Sequence, residues 1–367
     1  MNILYDYEIQ VNQRFGGVSK YFYEIISRIR NYDNTNIDLP VILPKSYDIS
    51  RITGKKSFNY PYKIAKYISI LNSFYLDTIL KQKKYDVIHQ TQYGYFFPSS
   101  LGSKVCITIH DMIWEKFPET DPDGSRAREK KRCIERADKI IAISETTKKD
   151  LLEIYPNIDE KKITVIHHGT SYIGSTIIEK KDWVPDEYVL YVGTRNEYKN
   201  FKVFVDAMVE LIKKDSNIFA VCTGYKGFTA DELTWMVDSE TGVDYSTNFI
   251  QKKCSDDDMI MLYQYAKCFV FPSKYEGFGM PILEAFANNC PAIISDISVF
   301  HEVAGDAGIY FDPDNSMSLF SAINRVAYSK DVSLEYKNRG RSRIKDFSWD
   351  KCAQETYKVY KEMTKSS

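Results

Sequence analysis

Phe271-Pro-Ser-Lys-Tyr-Glu-Gly-Phe-Gly-Met-Pro-Ile-Leu-Glu284 is the stretch on which the reading of this chain turns. The apolar run 268–271 ends as a buried strand would. A turn with two glycines follows, and Pro281 stands where the first turn of a helix begins. Gly277 and Gly279 let the backbone come close to a ligand. The amides of Phe278, Gly279 and Met280, at the positive end of the helix dipole, then make an anion site suited to a diphosphate. Glu276 in the turn and Glu284 about one helical turn inside border that site. A carboxylate is a poor neighbour for phosphate and a good acceptor for sugar hydroxyls. A tight strand-to-helix turn with a glutamate favouring the helix dipole accounts for the same residues without any ligand.

Working outward, short apolar runs alternate with helical patterns along the whole chain, the signature of parallel βαβ units. The strand candidates are 2–5, 86–89, 105–109, 140–143 and 164–166, then 189–192, 219–222, 268–271, 292–295 and 309–311. Helical spacing runs through 18–29, 126–137, 146–155, 200–213, 256–266, 281–288 and 316–328. Between 169 and 186 the pattern lapses into Gly, Ser, Thr and Lys, which marks a linker. The expectation is α/β: two doubly wound Rossmann-like domains, 1–175 and 183–345, with a helix over 346–367 packing back across the join. Such sheets bind ligands beyond the carboxyl ends of their strands, so the ligand is expected in a cleft between the domains.

The 367 residues carry 49 Lys+Arg against 50 Asp+Glu, and 44% are hydrophobic. That is a globular composition, and the absence of a basic excess argues against duplex DNA as a partner. The balance hides a split. Residues 1–175 hold 26 basic and 21 acidic side chains, residues 176–367 hold 23 and 29, so the halves differ in sign. Most of the basic excess lies in 51–84, where Arg51, Lys55, Lys56, Lys63, Lys66, Lys81, Lys83 and Lys84 face one acid, Asp77. Seven scattered cysteines without a C-x-x-C read as reduced thiols. Acids near the N-terminus and the lack of a long apolar run point to a cytoplasmic protein.

Three more segments sit between a strand and a helix. In Tyr191-Val-Gly-Thr-Arg-Asn-Glu-Tyr-Lys-Asn200, Arg195 and Lys199 can clamp phosphate oxygens as a fork and a point charge. A solvated Arg/Lys pair is the plain alternative. In Gln10-Val-Asn-Gln-Arg-Phe-Gly-Gly-Val-Ser-Lys20, Gly16 and Gly17 offer bare amides at a helix start, without the Walker A pattern. His110-Asp111 follows the strand 105–109, where an imidazole can hydrogen-bond a ligand.

Taken in order, the Gly16-Gly17 loop, His110-Asp111, Ile141-Ala-Ile-Ser-Glu145, the Arg195/Lys199 pair and Glu276-x7-Glu284 resemble family four of the retaining, nucleotide-sugar-dependent glycosyltransferases, which have the GT-B fold. The likeness is weakest over 35–84. It implies that Arg195 and Lys199 hold the donor diphosphate and stabilise the leaving nucleotide, and that Glu284 binds ribose hydroxyls. It further implies that Glu276 and the 278–280 amides hold the donor sugar and phosphate. His110 would touch the transferred sugar, with Gly16 and Gly17 beside the diphosphate and Asp111 orienting the His110 loop. Such enzymes need no metal or other cofactor. Asp121-Pro-Asp123 and Asp312-Pro-Asp314 mimic a metal-binding D-x-D, but a proline turn is the simpler account of each.

The wording Val-Gly-Thr-Arg and His-Asp-Met-Ile resembles mannosyl- and deoxyhexosyltransferases of surface-polysaccharide pathways, which favours a GDP-linked sugar. Nothing in Thr223-Gly-Tyr-Lys-Gly-Phe228 or Asn248-Phe-Ile-Gln251 fixes the base. The acceptor is expected to be a glycan or lipid-linked saccharide, with Tyr93 and Tyr95 in Thr91-Gln-Tyr-Gly-Tyr-Phe-Phe97 available to stack on it. Around 64–80 an amphipathic helix is expected to touch an anionic membrane surface, or else to be a solvated helix of the first domain. UDP- or dTDP-sugar transfer, a nucleotide-sugar epimerase of the same fold, and an inactive sugar-binding partner subunit are the competing readings.

Overall fold

The computed structural model describes residues 1–170, 176–224 and 227–365; part of the linker (171–175) and Tyr225-Lys226 of the base-side stretch lie outside the described residues. The chain divides into two compact units, Met1–Gly169 with Ser348–Ser367, and Thr170–Phe347.

The first unit is built on a six-stranded parallel sheet: β1 (Asn2–Tyr5), β2 (Asn36–Asp38), β3 (Val87–Gln90), β4 (Lys104–Ile109), β5 (Lys139–Ala142) and β6 (Ile163–Val165), in the order β2-β1-β3-β4-β5-β6. The chain runs outward from β1 to β2, then returns to β3 on the other side, so the switch of direction falls between β1 and β3. Helix Gly17–Ile29 buries Tyr21, Phe22, Ile25, Ile26 and Ile29. Helix Trp349–Lys365 buries Trp349, Cys352, Ala353, Thr356, Val359, Tyr360 and Met363, a stripe at helical spacing, and packs against Gly17–Ile29. A buried polar chain fixes that docking. Tyr360 Oη lies 2.9 Å from Tyr5 Oη and bonds His89 Nδ1, His89 Nε2 lies 2.9 Å from Thr108 Oγ1, and Thr108 lies 3.1 Å from Tyr21 Oη. Each of these groups would be costly to bury alone, and together they satisfy one another.

The second unit repeats the plan with β7 (Tyr188–Val192), β8 (Phe219–Thr223), β9 (Phe249–Lys252), β10 (Cys268–Phe271), β11 (Ala292–Ser295) and β12 (Gly308–Phe311), ordered β12-β11-β10-β7-β8-β9. Its switch falls between β7 and β10. β10 and β11 are buried at every position, as strands covered on both faces must be. Helix Phe201–Lys214 lays Phe204, Val205, Met208, Leu211 and Ile212 into the core on one face.

Two strands, β2 and β9, have no counterpart among the ten candidates. Both are sheet edges, three and four residues long, and mixed in polarity (Asn-Ile-Asp and Phe-Ile-Gln-Lys), so they lack the continuous apolar run that marks an inner strand.

Candidate functional site

In the second unit the loops after β7 and β10 leave the sheet side by side at the switch point, the place where α/β sheets bind ligands. The Lys274 amide donates to the Tyr198 carbonyl at 2.8 Å and ties one loop to the other. Lys199 Nζ meets Glu276 Oε1 at 2.6 Å, and its ammonium lies over the rings of Tyr198 and Phe271 at 5.2 and 5.5 Å. The two residues therefore form one partly buried ion pair across the switch. Gly279 caps helix Met280–Ala287 at φ +122°, a conformation side chains rarely adopt, and Pro281 sits in the first turn. A methyl group at Gly279 would also press on Ile282 at 3.0 Å. Phe278 is buried with its ring edge-on to Phe347 at 5.9 Å. The backbone of Gly279 and Met280 is thus held at the positive end of the helix. Glu284, half-buried a turn further on, accepts from Tyr263 Oη at 3.3 Å.

Arg195 is placed differently from a free phosphate fork. Its Nε donates to Glu232 Oε1 at 2.6 Å, one Nη donates to the Gly227 carbonyl at 2.8 Å, and the guanidinium lies 5.4 and 5.2 Å from the rings of Phe201 and Phe228. Only 8% of the side chain is exposed. Glu232 is a site residue that the motif reading passed over. It belongs to a capping box, with the Thr229 amide donating to Glu232 Oε2 at 2.7 Å and the Glu232 amide to Thr229 Oγ1 at 3.2 Å. The Thr229-x-x-Glu232 spacing was the available signal.

In the first unit, His110 follows β4 in a nest of rings, 5.1 Å from Tyr21, 6.2 Å from Phe22 and 5.7 Å from His168. Burial pushes its pKa down to about 4, outweighing the attraction of Asp111, so it is neutral near pH 7. Its Nε2 has no hydrogen-bond partner among the described residues. Asp111 accepts from the Ile113 amide at 3.0 Å, shaping the His110 loop. Gly17 opens helix Gly17–Ile29, and the Gln13 side chain folds over Gly16, accepting from the Ser19 amide at 2.9 Å. Tyr93 is half-buried, edge-on to Trp114 at 5.8 Å. Tyr95 turns its hydroxyl to Asp77 and packs on Tyr7 and Phe97, so it serves the core of this unit rather than an open surface. The two D-x-D mimics are local turns. Asp121 accepts from Ala127 N at 3.0 Å, and Asp312 from Asp314 N at 3.0 Å.

The acids after β1 also occupy a switch point. Asp6 is fully buried and accepts from the amides of Glu8 (2.9 Å) and Thr91 (2.8 Å) and from the Thr91 hydroxyl. Glu8 accepts from Gly94 N at 3.1 Å, and any side chain at Gly94 would start 2.4 Å from the Glu8 carboxyl. Burial first, and then Asp6 beside it, raises Glu8 to about 8; burial raises Asp6 to about 6. The folded protein therefore holds protons that the unfolded chain has released, and stability falls as pH rises from about 5 to about 8. Urea titrations over that range should show Glu8→Gln flattening the decline. An unchanged slope would place the effect elsewhere.

Comparisons with known proteins bear on the family and the fold. Residues 15–171 match the model of Glycosyltransferase Family 4, and residues 175–343 that of Glycosyl transferases group 1. The O-antigen chain mannosyltransferase B of Escherichia coli is 28% identical over 281 residues, 73% of this chain and 72% of that protein. The O-antigen chain mannosyltransferase RfbU of Salmonella typhimurium is 32% identical over 234 residues, 63% of each chain. Among solved structures, a sucrose-phosphate synthase from Thermosynechococcus elongatus superposes with a TM-score of 0.74 at 17% identity, covering 100% of this chain and 99% of that one. Anabaena HepE in complex with UDP and glucose gives 0.71 at 14% identity, covering 98% of both. The fold is GT-B.

Proposed function

Because the chain belongs to the glycosyltransferases described by these two family models, we propose that it is a retaining, metal-independent enzyme. It moves a hexose or deoxyhexose, mannose-like and GDP-linked, onto a hydroxyl of a glycan or lipid-linked saccharide in polysaccharide or glycoconjugate synthesis. The observation that carries this reading is the Lys199–Glu276 pair at the switch point, directly before the helix capped by Gly279. The relatives named as O-antigen mannosyltransferases support the sugar, and HepE solved with UDP and glucose supports a nucleoside-diphosphate sugar as the donor class.

In this reading the second unit binds the donor. Lys199, Arg195 and the Gly279–Met280 amides neutralise charge growing on the diphosphate as the C1–O bond breaks. Glu276 accepts hydrogen bonds from sugar hydroxyls and Glu284 from the ribose. Glu232 positions Arg195. The first unit serves the acceptor with Tyr93, while neutral His110 offers its unpartnered Nε2 to the transferred sugar and Gly16-Gly17 line the diphosphate side. The acceptor oxygen bonds C1 on the face the phosphate leaves, and its proton passes to the departing phosphate oxygen. The enzyme works in the cytoplasm, at the inner face of the membrane.

Labelled GDP-, UDP-, dTDP- and ADP-sugars, incubated with and without a saccharide acceptor, test this. Label should move only when acceptor is present, and most from the GDP-sugar. Rearrangement of donor without acceptor would make the protein an epimerase, and no turnover of any donor would make it a binding subunit.

A further inference from the structure

The second unit carries a cavity of about 610 Å³, a size that suits a small organic ligand, on the edge of its sheet opposite the loops after β7 and β10. Tyr265 precedes β10, Asn288 and Asn289 precede β11, and all three line it, so it lies at the amino ends of the strands. Helix Met280–Ala287 runs between the two places. Its Gly279 cap belongs to the loop after β10, and its last turn, Phe286 and Ala287, lines the cavity.

The facing wall is helix Lys330–Arg343. Gly340 lets it close on the first wall, since a methyl group there would start 2.8 Å from the Phe286 ring. Lys337 and Arg341 lie one helical turn apart on this wall, and Lys345 follows at the same spacing in the turn Ile344–Asp346. All three line the cavity, and no aspartate or glutamate does so among the described residues. That is unexpected in a half of the chain with 29 acids against 23 bases. Two nearby acids are taken up elsewhere: Glu335 pairs with Arg339 at 2.5 Å and Asp346 with Arg343 at 2.8 Å. Arg341 donates to the Asn289 side-chain oxygen, while the Lys337 and Lys345 ammoniums form no ion pair among the described residues. Like charges at this spacing repel one another, and an anion among them removes that cost.

An independent feature points the same way. Asn288 is 2% exposed and its Nδ2 donates to the Glu284 carbonyl at 2.9 Å, but its Oδ1 is buried with no hydrogen-bond partner among the described residues. A buried carbonyl oxygen without a donor is costly. It would repel phosphate oxygens and suits a hydroxyl. Tyr265, 37% exposed, with buried Phe286 and Ile344, adds an apolar side fit for the C–H face of a sugar ring.

We infer that this cavity binds a phosphorylated sugar, with Lys337, Arg341 and Lys345 on the phosphate and Asn288 accepting from a hydroxyl. The site is distinct from the proposed donor site at the other edge of the sheet, and its occupancy is read without turnover.

Calorimetric titration of the full chain with mannose 6-phosphate, mannose 1-phosphate, mannose and inorganic phosphate tests it. At least one of the two sugar phosphates should bind saturably, with mannose and inorganic phosphate weaker by about tenfold or more. Lys337→Glu with Lys345→Glu should weaken that sugar phosphate by about tenfold or more, through lost charge-assisted contacts. Lys199→Ala should leave it unchanged. Both cavity lysines are exposed or half-exposed, so the double variant should melt with the parent. Binding of neither sugar phosphate, equal affinity for inorganic phosphate (an adventitious ion only), or binding that Lys337→Glu with Lys345→Glu leaves undiminished would each overturn the proposal.

Discussion

Lys199→Ala and Glu276→Ala should each lower turnover by about 10²–10³-fold, the usual cost of losing one preorganised electrostatic group from a transfer site. The melting temperature should barely move. The pair joins two loops at the rim of a sheet whose inner strands are buried, and the Lys274–Tyr198 backbone bond holds those loops together without it. Glu276 compensates the Lys199 ammonium in the free protein. In the proposed reading the diphosphate takes over Lys199, and the carboxylate then accepts from the sugar. Because the two act as a unit, the double variant should be little worse than either single one. Near-normal turnover of both purified single variants would remove the pair from the mechanism.

The second large effect falls on Arg195. Arg195→Ala strips the partner from Glu232, whose side chain is only 7% exposed, and breaking a buried ion pair on one side costs about 3–5 kcal/mol. Transfer should fall with it. Glu232→Gln isolates the charge, since glutamine at that position preserves the capping box with Thr229 while removing the charge that orients the guanidinium. Urea unfolding of Glu232→Gln should also show a loss of stability, because the buried Arg195 guanidinium loses its charge partner, with turnover lowered about tenfold or more through misplaced Arg195. A Glu232→Gln enzyme as active as the parent would show that Arg195 needs no such support.

Much of this was legible in the sequence because inner parallel strands and their glycine turns are written locally. Phe271 to Glu284 encodes strand, turn, proline-started helix and two carboxylates within fourteen adjacent positions. Pairings between distant segments are not written that way. Nothing near Arg195 announces Glu232, and nothing near Tyr95 announces Asp77, because each partner arrives through the sheet order. The acids Asp6 and Glu8 were visible only as charges near the N-terminus. Their meaning comes from β3 lying beside β1, which brings Thr91 and Gly94 onto them. The edge strands β2 and β9 were missed for a related reason, since an edge needs no apolar run to hold its place.

The central claim is that the switch point of the second sheet binds the nucleoside diphosphate of a sugar donor. Calorimetric titration of GDP into the parent chain, Lys199→Ala and Glu284→Ala tests it most directly. One GDP per chain is predicted for the parent, with affinity weakened about tenfold or more in each variant by the lost charge-assisted hydrogen bonds. Equal affinity for GDP in all three proteins would contradict it.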